Sequence, residues 1–402
     1  MSSMGKRPKV ISLYTGAGGL DYGFEAAGFD TSVAIEFDAD ACTTLRANRE
    51  WPVIERSIYD VPSEEILDTG GLRPGDADVL IGGPPCQPFS KSGYWASGDT
   101  KRLDDPRANT LNAYMRVVED TLPKAFLFEN VEGVAYRSKA EALSLLLEQI
   151  GEINQRTDSN YQPQYRVLRA ADFGVPQLRS RFFLVASRDG GPFRFPEPTH
   201  GEGTDEPHRT AWDALADVEP DPEEELTVSG KWADLLPSIP EGQNYLFHTD
   251  RGEGEPLFGW RRRYWSFLLK LSKRLPSWTL QAQPGPAIGP FHWESRKLSM
   301  RELCRIQTFP DDVMILGSRG AIQKQVGNAV PSLLAEVLAR EIRVQLLGRR
   351  LPRGGLRLLP PRPTDVPPAV KTGPVAEDYL GLRGEHEAHP GTGRGYRAQH
   401  AG

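Results

Sequence analysis

Apolar residues along the chain follow two rhythms. Short unbroken runs occur at 9–14 (KVISLY), 31–37 (TSVAIEF), 77–83 (ADVLIGG) and 124–130 (KAFLFEN), each bounded by turn-forming or charged residues. Runs of that length suit strands buried on both faces. Between them apolar positions recur at helical spacing. Leu111, Met115, Val118 and Leu122 share one face of 107–122, and Leu143, Leu146, Leu147, Ile150 and Ile153 share one face of 138–153. Helical stretches are also expected up to Gly28 and over 38–49. Strands alternating with amphipathic helices predict βαβ units and a parallel sheet, hence an α/β fold.

The rhythm stops near 188. Residues 189–295 are rich in Pro, Gly and Trp, with an acidic run at 219–225 and a basic-aromatic run WRRRYW at 260–265. They read as an inserted, irregular second domain between a first catalytic segment, 8–188, and a returning segment, 296–348. In the return, Ser299 and Glu302 carry a capping-box signature, and Pro310 lies just past the predicted helix end. The stretch 331–348 predicts an amphipathic last helix, with Pro331 in its first turn and Gly348 at its end. Residues 349–402 hold many Pro, Gly and Arg and few large apolar side chains, which predicts a disordered tail.

Composition narrows the class. With 402 residues, 39% hydrophobic and 25% charged, the chain reads as a soluble globular protein with a large core. It has no apolar run of transmembrane length, and its first ten residues lack the apolar core of a signal peptide, so a cytoplasmic protein without a membrane partner is expected. The three cysteines, Cys42, Cys86 and Cys304, are far apart, which argues against a disulfide framework or a metal site. The net charge of −6 does not advertise a nucleic-acid binder, although local basic patches decide phosphate contact.

Candidate chemistry gathers at the carboxyl ends of the predicted strands, where open α/β sheets bind ligands. After the first strand comes TGAGG, and Glu36 ends the second. A glycine turn lets a ligand approach the backbone, and an acid at that place can accept from ribose hydroxyls. The bland alternative is a tight structural turn. The spacing is not G-x-G-x-x-G, so a nicotinamide dinucleotide is not favoured. Cys86 follows the strand 77–83 in a loop stiffened by Pro84, Pro85 and Pro88, a setting for a thiolate nucleophile held against substrate. The alternative is a small buried hydrophobe, the role expected of Cys42 and Cys304. Glu129 ends the fourth run and can serve as a proton donor or as a helix-cap carboxylate. Gln177, Arg179 and Arg181 alternate along 176–186 and would share one strand face.

Taken in order, TGAGG, Glu36, GGPPCQPFS, FENV, QLRSR and QVGNAVP (325–331) resemble the blocks of the cytosine carbon-5 DNA methyltransferases, of bacterial restriction-modification or orphan type. The resemblance runs from about Val10 to Leu347, with a gap at 189–295 where members vary. It implies a Rossmann-like domain that binds S-adenosylmethionine and a smaller inserted target-recognition domain. By position, Tyr14, Gly16, Ala17, Gly18 and Gly19 would line the methionine part and Glu36 would hold the ribose. Pro85 and Asn328 match further cofactor positions, which requires the C-terminal helix to pack back beside the first strand. Members usually place an aspartate near the adenine amino group. Here the match reads Ser57-Ile58 with Asp60 two further on, which leaves Ile58 to pack on the ring.

The resemblance also implies chemistry. Cys86 would attack carbon 6 of a cytosine flipped out of double-stranded DNA, Glu129 would donate to ring nitrogen 3, and Arg181 would reach the carbonyl or hold Glu129. Gln87 and Ser90 of the cysteine loop, Arg179 and the arginines Arg261, Arg262 and Arg263 would meet substrate, although Arg179 also suits a structural role. No metal is implied. A cognate restriction endonuclease acting separately and association with the nucleoid through DNA follow from the same likeness. A branch of the family that acts on transfer RNA, and a non-catalytic DNA-binding homologue, are the alternatives.

Overall fold

The apolar runs of the sequence form strands whose side chains split between two cores. In the computed structural model, which describes residues 6–85, 109–135, 140–260 and 264–384, the strands are β1 (Lys9–Leu13), β2 (Asp30–Glu36), β3 (Val53–Glu55), β4 (Val79–Gly82), β5 (Ala125–Val131), β6 (Gln164–Arg169), β7 (Gln177–Leu178), β8 (Ser180–Ser187) and β9 (Ser277–Trp278). Seven of them make one sheet in the order β3-β2-β1-β4-β5-β8-β6. Successive side chains point to opposite faces of a strand. Ile11, Leu80, Phe126, Phe128 and Leu184 therefore enter one core, and Val10, Val79, Ile81, Leu127 and Val185 the other.

The helices are α1 (Gly19–Ala26), α2 (Ala39–Asn48), α3 (Ser63–Thr69), α4 (Asn109–Thr121), α5 (Ala140–Thr157), α6 (Ala211–Leu215), α7 (Met300–Ile306), α8 (Arg319–Asn328), α9 (Ser332–Gln345) and α10 (Glu377–Leu380). α3, α4 and α5 cover the first face of the sheet, while α1 and α9 cover the second. Leu20 and Phe24 of α1 share that second core with Leu333, Leu334, Leu338 and Ile342 of α9. The last amphipathic helix thus packs back beside the first strand, as the position of Asn328 requires.

Two expectations change. The sheet is mixed rather than parallel: β8 runs antiparallel to both β5 and β6. The chain returns from β6 through the one-turn segment Ala170–Phe173 and the short β7, with no crossover helix, and a parallel neighbour needs such a crossover. The tail expected from 349 is docked as far as 384. The Glu336 carboxylate accepts the backbone N–H groups of Arg357 and Leu358 at 2.9 and 3.0 Å. Further on, the Gly373 N–H donates to the Pro237 carbonyl, and Tyr379 stacks on Trp232 in an apolar cluster with Leu235 and Leu236. A few well-placed apolar and polar contacts offset the ordering entropy that composition alone predicts will win.

Within 189–295 one apolar cluster gathers around Leu235, Leu236, Ile239, Leu257 and Leu268, largely from turns, while Leu215, Leu271, Leu280 and Trp293 pack with Leu303 and Val326 of the returning chain. The predicted capping box forms: the Ser299 hydroxyl accepts from the Glu302 N–H at 3.1 Å and the Glu302 carboxylate accepts from the Ser299 N–H at 2.7 Å. Cys42 and Cys304 are buried, as a packing role requires. Among the described residues no helix is long and apolar enough to cross a membrane.

Candidate active site

Four parallel strand ends and the end of α8 converge on a cavity of about 450 Å³. It is lined by Tyr14, Gly16, Ala17, Gly19 and Leu20 after β1, Glu36, Phe37 and Asp38 after β2, Gly83, Pro84 and Pro85 after β4, Glu129, Asn130 and Val131 on β5, Arg181 on β8, and Lys324, Gln325 and Asn328 on α8. A second cavity of about 400 Å³ adjoins it, shares Tyr14, Glu36, Phe37 and Pro85, and continues to Ser57, Ile58, Tyr59 and Thr110.

At the floor, the Glu36 carboxylate is held by backbone donors. One oxygen accepts from the Gly16 N–H at 2.7 Å, the other from the Phe37 and Asp38 N–H groups at 2.8 Å each. This ties the glycine turn of β1 to the end of β2. Gly16 has a φ of +55°, and a Cβ there would meet nothing within 4 Å, so the backbone is bare toward the cavity. α1 then opens at Gly18, which makes no side-chain cap hydrogen bond.

The opposite wall holds ionisable groups. Arg181 Nε lies 3.0 Å from Glu129 Oε1, with both side chains mostly shielded from water. Burial pushes the Glu129 carboxyl above its usual range, against the pull of Arg181 and Arg179. Gly83 makes this approach possible: a Cβ at that position would sit 2.4 Å from Glu129 Oε2. Asn130 Nδ2 donates to the Pro84 carbonyl at 3.2 Å, so β5 also grips the start of the cysteine loop.

Of the residues singled out in the sequence, Tyr14, Gly16, Ala17, Gly19, Glu36, Pro85, Asn328, Glu129 and Arg181 line the first cavity and Ile58 the second. Gly18 lies behind the lining, as the N-cap of α1. Arg179 is buried away from both cavities. Its guanidinium donates to the Gly327 carbonyl at 2.8 Å and the Leu280 carbonyl at 3.3 Å. It ties three segments together and presents no surface to a substrate, which corrects its expected binding role. Cys86, Gln87, Ser90, Arg261, Arg262 and Arg263 lie outside the described residues.

Sequence reading missed Phe37, Asn130 and Lys324. Phe37 ends an apolar run in the sequence, yet it is 66% exposed and borders both cavities. An aromatic ring one residue past a strand-ending acid is the signal that was available. Lys324 pairs with Asp38 across the cleft, and only the packing of α8 reveals that neighbour.

The arrangement fits a nucleoside carrying a charged tail. It offers a carboxylate near the glycine turn, a glycine-rich backbone that a ligand can approach, and Phe37 and Ile58 as apolar walls. Comparison with known proteins agrees. A family model described as C-5 cytosine-specific DNA methylase matches residues 8–344. The type II methyltransferase M.SacI of Streptomyces achromogenes is 42% identical over 369 residues, covering 84% of this chain and 93% of that protein. M.NgoFVII of Neisseria gonorrhoeae, also a type II methyltransferase, is 33% identical over 351 residues, covering 85% and 88%. Among solved structures, a mutant of Spodoptera frugiperda DNMT2 superposes with a TM-score of 0.58 at 18% identity, over 83% of this chain and 99% of that one, a likeness of fold.

Proposed function

The chain belongs to the C-5 cytosine-specific DNA methylase family, and on that premise we propose how its cleft performs methyl transfer to carbon 5 of cytosine in double-stranded DNA. S-adenosylmethionine, when bound, supplies the electrophilic methyl group that carbon 5 takes. Glu36, the bare Gly16 turn and Asn328 hold that cofactor, with Phe37 and Ile58 flanking its base. A stacked cytosine is out of reach of the cleft, so the target base leaves the duplex to enter it.

The observation that carries the reading is the Glu129–Arg181 pair in the wall of the cofactor-sized cavity. Cys86 Sγ, as thiolate, bonds to carbon 6, and the electron pair of the 5,6 double bond moves toward carbon 5. Glu129 gives a proton to ring nitrogen 3 as this happens, and the raised affinity of its carboxyl for a proton suits that task. Arg181 orients Glu129 and balances its charge once the proton has left. After methylation, the carbon 5 proton passes to a water molecule, its electron pair restores the 5,6 double bond, Cys86 Sγ departs as thiolate, and the nitrogen 3 proton returns to Glu129.

By likeness to M.SacI and M.NgoFVII we assign the chain to restriction-modification, with a separate cognate endonuclease as its functional partner. Target recognition falls to 189–295. Arg261, Arg262 and Arg263 supply its charge, and their neighbours Tyr264 and Trp265 are half-exposed. Bisulfite sequencing of DNA from cells that express the chain tests the activity. Methylated cytosines in one short sequence context are expected, and unmodified DNA from cells holding folded protein contradicts it.

A further inference from the structure

The wall of the second cavity is a short turn whose Ile58 and Val61 side chains enter the core and whose carbonyls are held from outside the turn. Residues Ile58–Asp60 form a single 3-10 turn that presents Ser57, Ile58 and Tyr59 to the cavity. Asp60 is exposed and does not line it. The acid that the family resemblance leads one to expect on this wall therefore does not face the base.

One side chain holds both ends of the turn. Arg116 Nη2 donates to the carbonyls of Ile58 at 2.9 Å and Val61 at 3.0 Å. Its Nη1 donates to Ser63 Oγ at 3.0 Å, and Ser63 Oγ in turn donates to Asp120 at 2.6 Å. A planar guanidinium can satisfy three acceptors in fixed directions, whereas an ammonium acts as a point charge. Arg116 lies on α4, and the same helix steadies Tyr14, a residue common to both cavities. The Tyr14 hydroxyl donates to the Thr110 carbonyl at 2.7 Å.

We propose that Arg116 is a positioning residue for the nucleoside end of the cofactor: it locks the Ile58–Val61 turn and so shapes the wall against which adenine packs. The inference rests on reading the paired cavities as the S-adenosylmethionine site. Arg116 itself lines neither cavity, so its effect passes through the turn. Releasing the turn leaves the floor at Glu36 and the wall at Glu129 intact.

The test uses the full chain and three readouts: S-adenosylmethionine affinity by calorimetry without DNA, KM and kcat on DNA, and thermal melting. For Arg116→Ala we expect cofactor affinity and the cofactor KM to weaken roughly tenfold or more, as loss of charge-assisted hydrogen bonds at a binding wall would produce. The kcat at saturating cofactor should stay within about twofold, since the reacting wall is untouched. Adenosine alone should lose affinity by a similar factor. Arg116→Lys, which keeps the charge without the fork, should be intermediate. Cofactor and adenosine affinities like those of wild type in either folded variant overturn the proposal, as does a fall in kcat with cofactor affinity intact. If wild type binds neither S-adenosylmethionine nor adenosine, it is the assignment of the cavity that fails, a result distinguishable from failure of the Arg116 clamp.

Discussion

Two glutamates face each other across one cleft and are prepared in opposite ways. Glu36 is held by three backbone N–H groups and ties two strand ends together. Glu129 meets a single arginine in a dry wall, and burial raises its hold on a proton. Desolvation favours the neutral form of a carboxylate, and it acts on Glu129. The same side chain is an anchor at the floor and, in the mechanism proposed above, a proton donor at the wall. The difference lies in which neighbours the fold supplies.

The largest expected effect separates chemistry from binding. Glu129→Gln should lower kcat by about 10²–10⁴, the usual worth of a positioned general acid, with S-adenosylmethionine affinity nearly unchanged. Single-turnover rates with calorimetric cofactor affinities measure this, and a loss below about tenfold would break the contrast. Glu36→Ala should do the reverse. It strands three backbone donors and loosens the glycine turn, so cofactor affinity should fall by about one to two orders of magnitude, more than kcat does.

A smaller effect sharpens the comparison through pH. A carboxyl whose folded pKa is raised holds more protons folded than unfolded once the pH exceeds its unfolded value, roughly 4.3. Its contribution to stability is therefore full at low pH and is lost as pH rises through the folded value. Asp21, buried beneath the glycine turn among Ser12 and Thr31, is raised to about 7 and acts in the same direction. Denaturant titrations of wild type should show stability declining from about pH 4 toward 7, less steeply in Asp21→Asn and in Glu129→Gln. Slopes identical to wild type in both variants would mean that these carboxyls are not perturbed.

Much of this was legible in the sequence. β1, β2, β4 and β5 follow from unbroken apolar runs, and the blocks around Glu36, Glu129 and Asn328 mark the rim of the cleft. What escaped the sequence is non-local. The reversal of β8 depends on how a short link turns. β6 is an edge strand with only Leu168 buried, so no apolar run announced it. The docking of 349–384 rests on Glu336, Pro237 and Trp232, each far away along the chain. Arg179 reads as one of an alternating pair with Arg181, yet a break between β7 and β8 sends it inward to Gly327 and Leu280. Arg116 has no motif at all, only three acceptors brought to it by the fold.

The central claim is that a thiolate from the Cys86 loop and a proton from Glu129 act on one cytosine. Trapping tests it most directly. The protein is incubated with S-adenosylmethionine and a long duplex in which a fraction of the cytosines carry fluorine at carbon 5, then denatured and digested for mass analysis. Fluorine cannot leave as the proton does, so the expected product is a denaturant-stable adduct on the Cys86 peptide, carrying one added methyl group on the base. It should form more slowly in Glu129→Gln and be absent in Cys86→Ser. A stable adduct in Cys86→Ser, or none in wild type that methylates ordinary DNA, would contradict the account.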